Sequence, residues 1–201
     1  MSLNRYIKVY NQKRAYSIGV EEEYMICDPL SGHLINKADL IMESVSNPER
    51  FSYELLLSEI EANTPICQTV DESIMFLSNL RSELNTIGEK NGFRIGLSGT
   101  HPSAKPMEQE FVKNNSYNWV SNQLKYYAKR NITFSTHVHI SVDDPERAIQ
   151  ITNATRRWIP ALLALTTNSP FFTSKLTFFK ASVPSGKTFF KFVILSIVKY
   201  G

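Results

Sequence analysis

The sequence has few cysteines, and it lacks the apolar leader that a secreted protein carries. Its two cysteines, Cys27 and Cys67, have no CxxC partner, and two thiols do not make a disulfide framework. The opening segment MSLNRYIKVYNQKR contains no apolar stretch of the kind found in signal peptides. We therefore expect a protein of the reducing cytoplasm.

Long hydrophobic runs and nucleic-acid-binding patterns are also missing. The run FVILSIV, residues 192–198, is too short and too closely flanked by lysine to span a bilayer. No stripe of basic residues interleaved with aromatics crosses the body of the chain. We therefore expect neither a membrane nor a nucleic acid as a partner, and we leave a homo-oligomer open.

The composition fits one globular domain, because 42% of the 201 residues are hydrophobic and 20% are charged. Strand patterns alternate with helix patterns, and no segment repeats. Strands are predicted at 16–27, 52–66, 93–102 and 133–143, and helices at 37–45, 69–92, 116–130 and 144–168. For 52–66 a helix is the alternative, since Leu and Glu are good helix formers.

The alternating order is compatible with a parallel α/β fold, but no strand is the continuous Val/Ile run that burial on both faces needs. Each strand instead carries polar residues on one face. This pattern predicts an α+β fold, a mainly antiparallel sheet with helices on one face and a ligand on the other. The helix at 69–92 has Thr69 or Asp71 as its N-cap, and it presents Ile74, Leu77, Leu80 and Leu84 to the core.

The stretch SIGVEEEYMI places three consecutive acids inside an apolar, β-prone segment. Side chains of a strand alternate between faces, so Glu21 and Glu23 share one face. Glu22 lies on the other face, beside Val20 and Tyr24. Two like charges on one face repel each other, so this arrangement needs a reason.

If the polar residues of each predicted strand face one way, the strands together form a polar face. A cluster of carboxylates is costly unless something neutralises it, and Mg²⁺ prefers oxygen ligands of this kind, usually together with phosphate oxygens. The candidates are Glu21, Glu23, Glu54, Glu59, Glu61, Ser98, Thr100, His101, Thr136 or His137, His139 and Ser141.

Two simpler interpretations stay open. An acidic strand is often a solvated edge that blunts aggregation. The His137-x-His139 pair on one strand face is also a familiar half of a zinc site, so a zinc-dependent hydrolase built on His137, His139 and one Glu is an alternative function.

Five motifs in one order resemble the carboxylate–amine ligase family, also called the glutamate–cysteine ligase type 2 family. They are GVEEEYMICDPLSGHL, ELLLSEIEANTPIC, SGTHP, THVHISVDDPERAI and LLALTTNSPFF, within residues 14–172. The resemblance implies a glutamine-synthetase-like catalytic fold whose sheet holds ATP and Mg²⁺. It also implies an ATP-dependent reaction in which a carboxylate becomes an acyl phosphate and an amine then forms an amide.

The resemblance also implies roles for individual residues. Glu21 and Glu23 would be metal ligands and catalytic, as would His137. Glu54 and Glu61 would be further metal ligands. Thr100, His101, His139 and Ser141 would bind the carboxylate and amine substrates, glutamate and cysteine if the family reaction is kept. The two cysteines are expected to be core thiols.

The resemblance breaks after Phe172. Residues 173–201 contain five lysines and no acid, whereas the rest of the chain has 17 basic against 19 acidic residues. We expect 1–172 to be the N-terminal part of a ligase catalytic domain and 173–201 to be a divergent basic and aromatic tail, from truncation or a changed reading frame. A non-catalytic remnant is therefore a third hypothesis. The tail's ASVPSGKT, 181–188, falls one residue short of a phosphate loop.

Overall fold

A computed structural model describes residues 15–113, 132–165, 171–172 and 174–176 of the chain. The helix predicted at 116–130 and the phosphate-loop-like run at 181–188 lie outside these residues. The described strands are β1 (Ile18–Cys27), β2 (Phe51–Tyr53), β3 (Glu59–Asn63), β4 (Arg94–Gly96), β5 (Thr136–Ile140), β6 (Phe171–Phe172) and β7 (Lys175–Leu176). The helices are α1 (Ala38–Ser44), α2 (Val70–Asn91), α3 (Pro145–Thr155) and α4 (Ile159–Leu165), with 3₁₀ turns at Pro48–Arg50, Pro106–Glu108 and Arg156–Trp158.

The main sheet is built around β1. This strand pairs with β3 along one edge, while β5 and β4 pair in succession along the other, and β2 lies outside β3. Every pair in this sheet is antiparallel. The predicted α+β architecture with a mainly antiparallel sheet is therefore confirmed.

One face of this sheet is covered by α1 and α2. Alternate residues of β1, here Tyr24 and Ile26, are fully buried in the same apolar cluster as residues of both helices. The cluster contains Tyr24, Ile26, Ala38, Ile41, Val45, Phe51, Ile60, Ala62, Leu80, Leu84, Ile87 and Phe93. Helices therefore lie on one face, as the strand alternation predicts.

Helix α2 begins and ends where the sequence predicts. The Thr69 hydroxyl accepts a hydrogen bond from the Glu72 N–H at 3.1 Å, and Gly92 ends the helix in the left-handed region at φ 69°. One residue of the predicted apolar stripe does not face the core, since Ile74 is 57% exposed. Ser73 takes the buried position in that turn.

The segment 52–66 is not one strand. Its first part forms β2, its second part forms β3, and the two pair with each other as an antiparallel hairpin. The prediction was wrong because the apolar run at Leu55–Leu57 conceals the turn, which contains no Gly or Pro.

Strand β4 is also shorter than predicted, so the following residues Ser98, Thr100 and His101 lie outside it.

The helix predicted from 144 begins as expected and is then interrupted. Asp144 is its N-cap, accepting from the Arg147 N–H at 2.8 Å, and Pro145 occupies the first helical position. A 3₁₀ turn separates α3 from α4, because Pro160 has no N–H to donate to the carbonyl four residues earlier. In the part of the chain that is described, no helix has the length and apolar character needed to cross a membrane.

The other face of the sheet is divided along β1. Near the strand's carboxyl end, Met25 packs in a second apolar cluster with Leu56, Ile132 and Phe134. The amino-terminal half of the same face carries Glu21 and is only partly covered. The polar residues of the sheet are therefore confined to one region beside an apolar wall.

The middle acid of the EEE motif belongs to the helix-covered face. Glu22 is 4% exposed, and both its carboxylate oxygens bond to the Arg81 guanidinium of α2, one of them over 2.9 Å from Nε. The Tyr24 hydroxyl donates to the same carboxylate. Burial and this neighbouring carboxylate raise the pKa of Tyr24, and the hydrogen bond to Glu22 raises that of Arg81.

Replacing Arg81 by Met is expected to lower the free energy of unfolding by about 2–3 kcal/mol, because it leaves the Glu22 charge buried without its cation. Urea denaturation measures this. The matched control is Arg147→Met, which breaks the surface pair with Asp143 and should cost no more than about 0.5 kcal/mol. Equal losses in the two variants would contradict a structural role for the Glu22–Arg81 pair.

Candidate active site

The strand register brings the acids and the histidine pair to one face of the sheet. Glu21 is directly opposite Asn63 of β3 and His137 of β5, and Glu23 is directly opposite Glu61. Residues that face each other across an antiparallel pair point to the same side, as do residues two apart along a strand. The face opposite to the helices therefore carries all these side chains, together with His139.

Glu21 lies between the two histidines. His137 Nδ1 donates a hydrogen bond to Glu21 Oε2 at 3.1 Å, because a carboxylate can only accept. His139 Nε2 approaches the same oxygen to 3.0 Å but lacks the angle of a hydrogen bond. The Oε2 atom of Glu21 therefore lies within 3.1 Å of a ring nitrogen of both histidines.

Ser135 links His137 to the second acid of the face. Its hydroxyl lies 2.9 Å from His137 Nε2, and its backbone N–H donates to Glu23 Oε2 over 2.7 Å. The other oxygen of Glu23 is 4.0 Å from His137 Nε2. Glu23 is only 2% exposed, so it is a buried carboxylate fixed by a backbone donor.

Glu61 is held by β2 and by its own strand. The Ser52 hydroxyl donates to Glu61 Oε1 at 2.8 Å, and Asn63 Nδ2 donates to the same oxygen at 3.1 Å. Asn63 also donates to Ser52 Oγ, which closes a three-membered network. Among the described residues, this network orients Glu61 without a cationic side chain.

These residues form two overlapping sets of metal-ligand atoms. One set is Glu21, His137 and His139, and the other is Glu23, Glu61 and His137. Within each set the ligand atoms lie within 4.8 Å of one another. The second set offers two carboxylates, which suit Mg²⁺, while the first offers two imidazoles, which suit Zn²⁺.

Glu54 is not part of either set in the described residues. It lies between β2 and β3 rather than on a strand, and its Oε2 accepts from the Leu55 N–H at 3.2 Å. Glu54 is therefore not on the same strand as Glu59 and Glu61, contrary to the prediction of one strand over 52–66. Its role as a metal ligand stays a prediction.

Three predicted substrate-binding residues lie outside the two sets. Both ring nitrogens of His101 bond to backbone, Nε2 donating to the Gly32 carbonyl at 2.8 Å and Nδ1 accepting from the Ala104 N–H at 3.0 Å. The Thr100 hydroxyl donates to the Phe171 carbonyl at 2.9 Å. Ser141 shares a hydroxyl contact of 2.8 Å with Ser17. Their roles in binding stay predictions.

Sequence reasoning missed the side chains that orient the acids and His137. Ser135 and Asn63 could have been found, because each lies two residues from a singled-out residue and therefore on the same strand face. Ser52 could not, because its position depends on the hairpin that the sequence conceals.

The two thiols offer no nucleophile. Burial raises the pKa of the Cys27 thiol to about 11, and it also raises that of Cys67. Cys67 is fully buried, and its Sγ contacts the Pro65 carbonyl. Both cysteines are free and largely protonated near neutral pH, in agreement with core thiols.

Replacing Glu61 by Gln is expected to raise the free energy of unfolding by about 0.5–1 kcal/mol in metal-free buffer. The reason is that Glu61 is directly opposite Glu23, and like charges at such positions repel. Gln keeps the oxygen that accepts from Ser52. Urea denaturation with EDTA tests this, with Glu108→Gln on the exposed surface as the control. A variant less stable than the wild type would contradict the account.

Curated relatives match most of this chain. The chain is 37% identical over 169 residues to "Putative glutamate--cysteine ligase 2-1" of Rubrobacter xylanophilus. The matched region covers 83% of this chain and 45% of the relative. Similarly named relatives from Solibacter usitatus and Thermobifida fusca are 36% and 37% identical, covering 77% and 81% of this chain and 41% and 42% of the relatives. The chain thus spans a little under half the length of these relatives.

A solved structure shares the fold. It is a bifunctional glutathione synthetase from Pasteurella multocida, similar with a TM-score of 0.55 over 92% of this chain and 26% of that one. The sequence identity is 16%, so the likeness concerns the fold alone. It agrees with the antiparallel sheet and helices described above.

The family comparison agrees with the five motifs. The model of the glutamate–cysteine ligase family 2 matches residues 17–182, which include every strand of the main sheet and both sets of metal-ligand atoms. Together with the relatives, this match is sufficient to assign the family. The chain belongs to the glutamate–cysteine ligase family 2.

Proposed function

We propose that this chain carries the acidic metal-binding part of an ATP-dependent carboxylate–amine ligase site. The observation that carries the proposal is the set of Glu23, Glu61 and His137, whose ligand atoms lie within 4.8 Å of one another beside Glu21. The relatives are named for joining glutamate to cysteine, so we propose those two amino acids as substrates and γ-glutamylcysteine as the product.

The residues on this face fit Mg²⁺. The set contains two carboxylates, and the hard oxygen ligands that Mg²⁺ prefers are otherwise a source of repulsion on this face. Glu23 and Glu61 are each fixed by donors to one carboxylate oxygen, Ser135 N–H in one case and Ser52 and Asn63 in the other. Bound Mg²⁺ would neutralise negative charge on the phosphates of ATP during transfer.

The protein's own contribution is positioning. A carboxylate does not react with an amine until it carries a good leaving group, so in this class of reaction the γ-phosphate of ATP moves to the substrate carboxylate. The amine then attacks the carbonyl carbon and releases phosphate. No protein nucleophile is needed, in agreement with the protonated thiols of Cys27 and Cys67. The low exposure of Glu23 and the apolar cluster around Met25 limit water on one side of the site.

The alternative of a zinc-dependent hydrolase has its ligands together, because Glu21, His137 and His139 form a set. Membership of the ligase family favours the ligase instead. The chain spans under half of its relatives, so the experiment below measures binding rather than turnover.

We expect ATP to bind in a Mg²⁺-dependent manner, and we expect the double variant Glu21→Gln/Glu23→Gln to weaken that binding by roughly tenfold or more. Isothermal titration calorimetry with ATP, with and without Mg²⁺, measures this. The matched control is Glu49→Gln/Glu108→Gln, which removes the same charge from exposed positions. It should bind like the wild type.

Two outcomes would contradict the proposal. One is ATP binding that does not depend on Mg²⁺, which would separate the nucleotide from the acidic face. The other is equal weakening in the site variant and the surface control, which would indicate a general effect of charge.

A further inference from the structure

Strand β5 pairs with β1 along one edge, and its other edge has no strand partner in the described part of the chain. The bonds to β1 come from odd-numbered positions, since Ser135 accepts from the Glu23 N–H and the Ser141 N–H donates to the Ser17 carbonyl, each at 2.9 Å. Successive residues of a strand direct their backbone groups to opposite edges. The even-numbered residues therefore direct theirs away from β1. These residues are Thr136, Val138 and Ile140.

The chain itself uses this outer edge only at the end that precedes β5. Phe134 is an even-numbered position, and its N–H donates to the Gly99 carbonyl at 3.0 Å. From Thr136 to Ile140, none of the described residues bonds to the outward-directed groups. Such a row of N–H and C=O groups is a template for a further strand.

The sequence of β5 and its flanks contains none of the usual protection against edge pairing. Residues 132–142 include no Asp, Glu, Lys, Arg, Pro or Gly. Exposed edges are normally protected by charges, prolines, bulges or short strands. The opposite edge of the sheet shows two of these features, because β2 has three residues and lies between Arg50 and Glu54. The outer edge of β5 is thus suited to pairing.

Apolar side chains beside this edge are also incompletely covered. On the helix-covered face, Val20 of β1 is buried, but its neighbour Val138 on β5 is only half-buried. Ile140, next to Ile18 of β1, is half-buried as well. The helix layer therefore covers β1 more completely than it covers β5.

Helix α2 leaves apolar surface on the same side. Glu83 accepts from the Ser46 N–H, just after α1, and α1 packs against β2 and β3. Arg81 is two residues from Glu83 and therefore on the opposite flank of α2, which is the β5 side of β1. Ile74, seven residues before Arg81, lies on this flank and is more than half exposed.

We propose that the outer edge of β5 pairs with the same edge of a second copy of this chain, which joins the two main sheets across a two-fold axis. Antiparallel pairing centred on Val138 is self-complementary, because it places Val138 opposite itself and Thr136 opposite Ile140 of the second copy. Every outward-directed residue then meets another outward-directed residue. A second copy is the favoured occupant because the edge fits itself in register and opposes no like charges.

The same pairing continues the side-chain rows on both faces of the sheet. On the helix-covered face, Val20 and Val138 of each copy form one apolar row across the axis. On the open face, His137 of one copy stands opposite His139 of the second copy. The two candidate sites therefore become neighbours, a consequence that rests on the proposed function, whereas the interface rests on the geometry of β5 alone.

Sedimentation velocity of the full chain over a range of concentrations, without nucleotide, tests the interface. We expect a reversible dimer, and we expect Val138→Lys to weaken self-association roughly 100-fold, because it places two like charges directly opposite each other. The control Asn85→Lys adds the same charge to an exposed position of α2 and should dimerise like the wild type. A wild type that stays monomeric, or equal dimerisation of Val138→Lys, would overturn the proposal.

A charge exchange tests the register. Val138→Lys and Val138→Glu should each be largely monomeric, and an equimolar mixture should form a heterodimer, because pairing centred on this residue places Lys against Glu. Circular dichroism checks that each variant is folded. Two folded variants that do not associate when mixed would contradict the two-fold pairing.

Hydrogen exchange of the wild type does not depend on any variant folding. Protection of the amides in 136–140 should increase with protein concentration, while the amides of β2 should exchange at an unchanged rate. A dimer that forms without added protection in 136–140 would place the interface elsewhere and refute the proposal.

The interface and the proposed function can fail separately. A dimer that shows these properties but binds no ATP would refute the proposed function and support the interface. A monomer that binds ATP in a Mg²⁺-dependent manner would refute the interface alone.

Discussion

The antiparallel hydrogen bonds that join β1 to strands on both its edges are the constraint on which the rest of the structure depends. They fix which residues of β3 and β5 stand opposite Glu21 and Glu23, and a shift of one residue would send every acid to the other face. The pair of Glu22 with Arg81 reinforces this register, because it places the only acid of the helix-covered face of β1 against a cation of α2. Of the three consecutive acids, Glu22 is therefore paired with a cation, while Glu21 and Glu23 lie on the opposite face.

On the open face, Glu61 is oriented by neutral donors. The Ser52 hydroxyl and the Asn63 amide both donate to its Oε1 atom. Such donors orient a carboxylate but do not cancel its charge. An acid held in this way keeps its attraction for a cation, whereas Glu22 is already paired with Arg81. This difference separates the structural acid Glu22 from the proposed ligand Glu61.

Much of this arrangement is predictable from the sequence, because side chains along a strand alternate between the two faces of the sheet. The alternation of β1 places Glu22 apart from its neighbours, and the H-x-H spacing brings His137 and His139 to one face. What could not be predicted depends on contacts distant in sequence. The turn at Leu57 and Ser58 contains no Gly or Pro, so Glu54 seemed to continue a strand. One partner of His101, the Gly32 carbonyl, lies 69 residues away in the chain.

His137 is the residue that the two sets of metal-ligand atoms share. Nδ1 faces Glu21 and His139, whereas Nε2 faces Ser135 and Glu23. The relatives share this part of the chain within proteins about twice as long, and the fold is shared with a glutathione synthetase. The family match at residues 17–182 includes the described face.

The chain has four histidines, which allows the cation to be located directly. Mn²⁺, which suits the same oxygen ligands as Mg²⁺, broadens the proton NMR signals of nearby imidazoles. The account predicts that substoichiometric Mn²⁺ broadens His137 and His139, leaves exposed His33 sharp, and is displaced by excess Mg²⁺. Broadening of His33 without His137 would place the cation elsewhere and contradict the account.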